Sequence, residues 1–273
     1  MKFEWRGEGY MISLDTRQNQ WIMECMTPIT ITLLGTNGWY PTETGNTLSL
    51  FIQTPDVAII LDAGDGIHKV AGICPEVQTP ACLFISHFHL DHISGLHSLA
   101  RLRFAKGLSI YGPPGTRDLL SSFIGYPFTV PITELPYKVT ITDLPEGRTI
   151  CEVPVTTAPL VHTQLVYGYR FELGKIIAFC TDTGPCENYL NLAKDADLLI
   201  SECSYLPGQE TPAWPHMNPE MAIDAARKAG AKRLALVHFA ADLYTSIAMR
   251  RDIRKVVDME DLIIGEDGMV ITL

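Results

Sequence analysis

The sequence lacks several features that would assign it to a special class of protein. No apolar run reaches the roughly 18 residues that a membrane-spanning helix requires. The opening residues MKFEWRGEGYMISLDTRQ are too polar and acidic for a secretory signal peptide. We therefore expect a cytoplasmic protein with no membrane segment.

Cysteine motifs and an excess of positive charge are also missing. The seven cysteines are odd in number and never spaced as CxxC, which argues against a disulfide framework and a zinc ribbon. Lysine and arginine total 21 against 31 aspartate and glutamate residues, so the formal net charge is −10. This balance disfavours a broad basic surface for nucleic acid. Apolar residues reach 47% and charged residues only 19%, which excludes intrinsic disorder.

What the sequence does contain is an alternation of short apolar runs and helical patterns. Its 273 residues can form one large domain. We predict a mixed, layered α/β domain over 29–273 and a separate N-terminal extension over 1–28. Predicted strands cover 29–35, 47–54, 57–64, 81–86, 108–112, 149–158, 166–173, 175–182, 196–202, 233–239 and 269–273, and predicted helices cover 92–105, 114–124, 186–196, 218–230 and 245–257.

The strongest chemical signal is the run SHFHLDH, which directly follows the apolar run ACLFI and opens a helix. A loop that leaves a strand can direct alternate side chains toward one point, so His87 and His89 can share one metal ion. Asp91 and His92 come one turn later and can face a second ion. Imidazole and carboxylate ligands together suit zinc, with manganese or iron as alternatives. A surface histidine cluster is the competing interpretation.

Three more potential ligands follow apolar runs further along the chain: His162 in APLVHT, Asp182 in FCTDTGP and His238 in LALVHFA. A single histidine in such a place is more often a hydrogen-bonded core residue. Taken together, the three complete the number of ligands that two metal ions need.

These motifs resemble the metallo-β-lactamase hydrolases, and specifically their ribonuclease Z branch. The resemblance extends over roughly 29–245 through LGTNGWYPTETGNTLSLFI, LDAGDG, LFISHFHLDHISGL, LSIYGPPG, TDTGPCENYLNLAKDADLLISE and LALVHFAADLY. It implies a four-layer αββα sandwich. It also implies a metal-dependent hydrolase, although the motif says much less about the substrate.

The resemblance also implies a role for each candidate residue. His87, His89 and His162 would bind one zinc ion, Asp91, His92 and His238 would bind the other, and Asp182 would bridge them. Water activated between the ions, as hydroxide, would attack phosphorus. Asp91 would also accept or orient the proton of the nucleophile. Asp62 would contact a ligand histidine on the side of the ring away from the metal.

Two further residues take the places of the acid pair of ribonuclease Z. Glu202 would raise the pKa of His216 and fix its tautomer, and His216 would then protonate the leaving oxygen. A loop histidine without a role is the alternative for His216. His68 and His97 match no ligand position, and we expect structural roles for both.

Departures from the family bear on the substrate. Ribonuclease Z carries a long arm for tRNA between its third histidine and its bridging aspartate, whereas Asp182 comes only 20 positions after His162. Ser201 replaces a family histidine, and Gly184 stands where arginine is common. We therefore expect a phosphodiesterase for a small or cyclic phosphodiester or a nucleotide, and leave a homodimer open.

Three alternatives remain. A tRNA 3′-end endonuclease would need a basic groove built from residues such as Arg101, Arg103, Lys106 and Arg117. Hydrolysis of a β-lactam or thioester is a weaker candidate. A binding or regulatory protein without turnover is disfavoured because all seven ligand positions are filled.

Overall fold

The computed structural model describes residues 28–211 and 213–273, preceded by three backbone strands. The strands Phe3–Arg6, Tyr10–Asp15 and Gln20–Cys25 pair antiparallel into a sheet of their own. Residues 1, 2, 7–9, 16–19, 26, 27 and 212 lie outside the described residues. The boundary between an extension over 1–28 and the main domain stays a prediction.

The first large sheet has seven strands. The four strands nearest one edge run parallel to one another. Nearly all its apolar side chains are buried, because both of its faces are covered. From one edge to the other its strands are Val139–Asp143, Leu108–Gly112, Ala81–Phe84, Ala58–Leu61, Ser49–Gln53, Thr30–Gly35 and Val270–Thr272.

The second large sheet also has seven strands, antiparallel at one end and parallel at the other. Its strands, in order, are Gly147–Ile150, Pro154–Leu160, Val166–Glu172, Ile176–Cys180, Leu198–Glu202, Leu234–Val237 and Leu262–Ile264. The prediction of one strand over 149–158 is wrong, because the chain turns back between Ile150 and Pro154. Proline has no N–H for a ladder, so it suits the start of the new strand.

The two sheets pack face to face, and helices cover both outer faces. Phe84 of the first sheet meets Tyr169 and Phe171 of the second at ring-centroid distances of 5.4 and 4.9 Å. The α-helices are Val70–Ile73, Leu90–Ile93, Thr116–Phe123, Glu187–Ala193, Pro219–Ala229 and Ile247–Arg251. Their apolar residues pack on the outer faces, which confirms the predicted αββα sandwich.

Several predicted helices are shorter than expected. The pattern over 92–105 becomes the α-helix Leu90–Ile93 followed by a 3₁₀-helix, Ser94–Arg101, and the pattern over 245–257 likewise ends in the 3₁₀-helix Asp252–Lys255. Further 3₁₀-helices span Asp65–Lys69 and Ile132–Glu134. The predicted caps of the helix Pro219–Ala229 are present, since the Met221 N–H donates to Asn218 Oδ1 at 2.8 Å and Gly230 is left-handed.

Four short strands were not predicted as elements of their own: Val139–Asp143, Leu262–Ile264 and the pair Asn37–Gly38 with Phe239–Ala240. Within the described part of the chain, no helix combines the length and apolar character needed to cross a membrane.

Candidate metal centre

The carboxyl ends of parallel strands from both sheets meet at one edge of the sandwich. Ala81–Phe84 leads there into the segment 86–92, and Leu234–Val237 leads directly into His238. Strand ends of this kind commonly build ligand sites in α/β proteins. The site residues surround a cavity of about 330 Å³, which is lined by Trp39, His89, Leu90, Asp91, His162, Asp182, Trp214, His216 and His238.

The first cluster consists of His87, His89, His162 and one oxygen of Asp182, with one potential ligand atom from each residue lying within 4.8 Å of the others. His87 Nε2 is 3.0 Å from His89 Nδ1 and 3.7 Å from Asp182 Oδ2. His162 Nε2 lies 3.9 Å from the same oxygen and, among the described residues, has no hydrogen-bond partner although it is buried. Buried polar atoms are normally satisfied, so this nitrogen fits a ligand for a cation.

The second cluster consists of Asp91, His92 and His238, whose ligand atoms also lie within 4.8 Å of one another. His92 Nε2 is 3.2 Å from His238 Nε2. His238 Nε2 is in turn 3.3 Å from Asp91 Oδ2. The three atoms therefore converge on one point.

Asp182 lies between the clusters and offers a different oxygen to each. Its Oδ2 faces the first cluster, while its Oδ1 is 3.2 Å from both His92 Nε2 and His238 Nε2. Bonds of about 2.0–2.1 Å around a tetrahedral zinc ion place ligand atoms roughly 3.4 Å apart. The separations in the two clusters, from 3.0 to 3.9 Å, bracket that value. The residues therefore fit divalent cations in both clusters.

A hydrogen-bond network behind the second cluster fixes its imidazoles. Asp62 Oδ2 is 2.7 Å from His92 Nδ1, and Asp62 also accepts from both the N–H and the hydroxyl of Ser86. Ser204 Oγ is 2.9 Å from His238 Nδ1 and donates to the His238 carbonyl. With Nδ1 of each ring occupied, Nε2 is left to face the cluster.

Backbone strain accompanies these positions. Among the described residues, five non-glycine residues have positive φ, and three of them are Asp62 at 54°, Asp182 at 46° and His238 at 55°. Left-handed backbone in such residues is costly and concentrates at functional sites. Gly38 packs against the His238 ring, where a Cβ would lie only 2.6 Å from Cε1, so a larger residue would displace that ring.

The two clusters differ in electrostatics. Burial lowers the pKa of His87 well below its usual range, and burial also lowers the pKa values of His89 and His162. These rings stay neutral and keep a lone pair for a metal. Burial opposes the charged form of His92, but the surrounding carboxylates outweigh it and raise its pKa well above the usual range. Despite its burial, Asp182 has a pKa held well below its usual range by the imidazoles around it.

The predicted acid pair lies beside the clusters. Glu202 Oε1 is 2.8 Å from His216 Nδ1, and both side chains are buried. Burial alone would lower the pKa of His216, but the Glu202 carboxylate raises it to about 9. His216 also has a potential ligand atom within 4.8 Å of atoms of Asp182 and His238, so its geometry permits either acid or ligand chemistry.

Other candidates lie elsewhere. His68 and His97 are exposed and each contacts a carbonyl oxygen three residues earlier, outside the cavity. Ser201 Oγ accepts from the Tyr189 hydroxyl at 2.8 Å. Gly184 pairs with Val161 across a short bridge.

Sequence reasoning missed four residues around the site. Trp39 donates its backbone N–H to Asp91 Oδ2 at 2.7 Å, and Ser204 contacts His238 as described above. Trp214 lines the cavity. The fully buried Arg250 guanidinium lies 4.7 Å from the centre of the Phe239 ring and donates to Thr36, Asn37 and Thr44. No local pattern marks Trp39, Ser204 or Arg250, because their partners are distant in the chain.

The fold and the clusters together define a metal-dependent hydrolase. The chain belongs to the beta-lactamase superfamily, since residues 58–239 match the beta-lactamase superfamily domain. This confirms the family and the enzyme class expected from the motifs.

Relatives extend this assignment. The chain is 27% identical to ribonuclease Z of Methanothermobacter thermautotrophicus, over 88% of this chain and 95% of the relative. The crystal structure of the metallo-beta-lactamase fold protein YhfI from Bacillus subtilis matches with a TM-score of 0.73 and 24% identity, covering 90% of this chain and 100% of YhfI. A diphosphatase from the PhnP family matches with a TM-score of 0.71 and 18% identity, over 89% and 97% of the two chains. These structural likenesses show the shared fold.

Proposed function

We propose that the protein is a dinuclear zinc phosphodiesterase that hydrolyses a small or cyclic phosphodiester. The observation that carries this proposal is the position of Asp182, with one carboxylate oxygen toward each cluster. His87, His89 and His162 would hold one ion and Asp91, His92 and His238 the other. A pair of such cations would supply a nucleophile from water and neutralise charge on the phosphoryl oxygens.

The side chains of this protein supply the rest of the chemistry. Asp91 accepts the Trp39 N–H through Oδ2, which fixes the carboxylate at the cavity wall where it can also take a proton from the nucleophile. Asp62 and Ser204 keep the imidazoles of His92 and His238 in the tautomer that presents Nε2.

His216 would serve as the general acid. Its Nδ1 contacts Glu202 and its ring lines the cavity, so a proton held on Nε2 can reach a leaving oxygen there. The raised pKa of His216 supports this role, because the ring then carries a proton near neutral pH.

A tRNA 3′-end endonuclease is the second candidate, favoured by the ribonuclease Z relative that spans most of this chain. The span from His162 to Asp182 opposes it, because it contains only the strands Val166–Glu172 and Ile176–Cys180. Arg103 and Lys106 precede the strand Leu108–Gly112 and lie at its amino end, away from the cavity edge.

A panel of phosphodiesters tests these two candidates. Protein loaded with zinc or manganese would be assayed on bis(p-nitrophenyl) phosphate, 2′,3′-cyclic nucleotides and a tRNA precursor, with metal content measured alongside. We expect two ions per chain and turnover of the small substrates. Their rates should change little between about 50 and 200 mM salt, a range that weakens nucleic-acid binding by orders of magnitude. Efficient cleavage of the tRNA precursor at its 3′ end would replace this proposal with the second candidate.

A further inference from the structure

Two tryptophan side chains stand exposed at the mouth of the cavity. The Trp39 and Trp214 rings are nearly parallel, with an interplanar angle of 14° and centroids 6.1 Å apart. They remain 58% and 37% exposed, although large aromatic side chains usually bury more of their surface. The metal-site chemistry described above does not use either indole.

The backbone holds this pair in place at some cost. Trp39 has a φ of 70°, which is a genuine outlier for a bulky residue. Its N–H is bonded to Asp91, so the strained residue is tied directly to the second cluster. The Trp214 carbonyl accepts from the Tyr205 hydroxyl at 2.6 Å. Hydrogen bonds therefore anchor the backbone of both tryptophan residues beside the cavity.

The pair also separates two cavities. A second cavity of about 380 Å³ lies next to the one that contains the clusters, and Trp39, Trp214 and His216 line both. Trp214 is also in edge contact with the His162 ring, at a centroid distance of 6.1 Å. A group stacked on the indoles would therefore lie immediately beside a phosphate at the clusters.

From this arrangement we infer that Trp39 and Trp214 form a stacking subsite for a nucleobase, so that the substrate is a nucleotide phosphodiester. Exposed aromatic faces bind bases of any sequence, because every base has a π-face. A ring inserted between the indoles would need about 7 Å between their planes, which is twice a normal contact distance. At the observed spacing the base therefore stacks on an outer face of the pair. This inference rests on the proposed function and names its substrate class.

Tryptophan fluorescence provides a test that is independent of turnover. The chain has four tryptophans, and replacing Trp5 and Trp21 with phenylalanine leaves only the pair. In that background, AMP should quench the emission saturably, whereas ribose 5-phosphate should not. Quenching by AMP should disappear in whichever of W39L and W214L removes the stacked ring, and it should persist in W214F, which keeps an aromatic face. Equal responses to AMP and ribose 5-phosphate would overturn the inference.

Matched substrates supply the second arm. The p-nitrophenyl esters of thymidine 5′-phosphate and of methyl phosphate share one leaving group, and only the first carries a nucleoside. Loss of stacking on one base, at about 1–3 kcal/mol, should raise KM for the thymidine ester about 5–150-fold in W39L or W214L. In W214L, which does not alter the residue that bonds to Asp91, KM for the methyl ester should stay within about twofold of its original value. Equal changes for both esters would refute the subsite while leaving the phosphodiesterase proposal intact.

Failure of the proposed function would look different. In that case neither ester would be hydrolysed by the unmodified protein at any metal loading, whereas the fluorescence arm would still report whether the pair binds a base.

Discussion

The two clusters contain similar side chains but are held in place very differently. In the second cluster, His92 is backed by the Asp62 carboxylate at 2.7 Å and His238 by Ser204 at 2.9 Å. In the first cluster, His87 Nδ1 has a neutral partner, Ser86 Oγ at 3.0 Å, and His162 Nδ1 has only a 3.4 Å contact with the Pro215 carbonyl. Hydrogen bonds to a charged partner are stronger and fix geometry better than long neutral ones.

This difference predicts that the two clusters bind their ions with different affinities. The second cluster is organised by the protein itself, and three carboxylates give it negative charge. In the first cluster His89 is partly exposed, and burial keeps all three rings neutral, so that cluster holds less negative charge for an ion. We therefore expect the second cluster to hold its ion more tightly. Four substitutions test this difference in metal affinity. The first removes Asp182, the ligand that both clusters share.

Asp182→Ala should have the largest effect, because it removes the ligand that both clusters share. At least one metal ion should be lost, and kcat should fall by about 10³-fold or more, since a bound ion supplies several kcal/mol of transition-state stabilisation. Metal analysis and phosphodiester kinetics would measure both effects. His97→Ala, which alters an exposed histidine outside the cavity, is the control. Two retained ions with normal turnover would contradict the assignment.

His216→Ala separates acid chemistry from metal binding. Loss of a general acid typically costs about 10²–10⁴-fold, and here the loss should appear on substrates with alkoxide leaving groups. Esters of p-nitrophenol should be much less affected, because their leaving group needs no proton. Metal content should remain that of the unmodified protein. If an ion is lost together with activity, His216 is a ligand; if both substrate types lose equally, it is not the acid.

Asp62→Asn should weaken the second cluster selectively. Removing the charge behind a ligand histidine typically lowers metal affinity about 10–100-fold. Competition with a chelator would report two release steps, and the tighter step should become weaker. If only the weaker-binding ion is released more easily, the second cluster would be the one with the lower metal affinity, contrary to our expectation.

Ser204→Ala should give the smallest effect, because Ser204 is a neutral partner of His238. We expect a loss of metal affinity below about tenfold, since neutral hydrogen bonds contribute roughly half as much as charged ones. Chelator titration of this variant beside Asp62→Asn provides the comparison. A larger loss than in Asp62→Asn would show that charge is not what stabilises the second cluster.

The candidate ligands could be recognised from sequence because each is a chemically distinctive residue placed directly after an apolar run. Local patterns also predicted a mixed α/β domain and the capped helix Pro219–Ala229, whereas the αββα sandwich was implied by the family resemblance. The break between Ile150 and Pro154 was missed, because the apolar run continues across the turn. The 3₁₀-helix Ser94–Arg101 was missed because Gly95 packs directly against the backbone of Gly64, a contact that no helical pattern reveals.

The supporting residues could not be recognised for a different reason. Ser204, Trp39 and Arg250 matter through contacts with residues far away in the chain, and their own neighbours in sequence carry no metal motif. Assigning them requires the folded geometry.

The buried Arg250 has a consequence for how the protein is made. It binds Thr36 across 214 residues of sequence, and the strand Val270–Thr272 must pair with Thr30–Gly35 to complete the first sheet. Arg250 and Val270–Thr272 are synthesised after every candidate ligand, whereas the HFHLDH segment emerges long before them. At that stage a nascent chain can offer an ion only His87, His89, Asp91 and His92, which are a fragment of each cluster. Metal loading is expected to follow synthesis rather than accompany it, so the supply of ions would act on the finished chain.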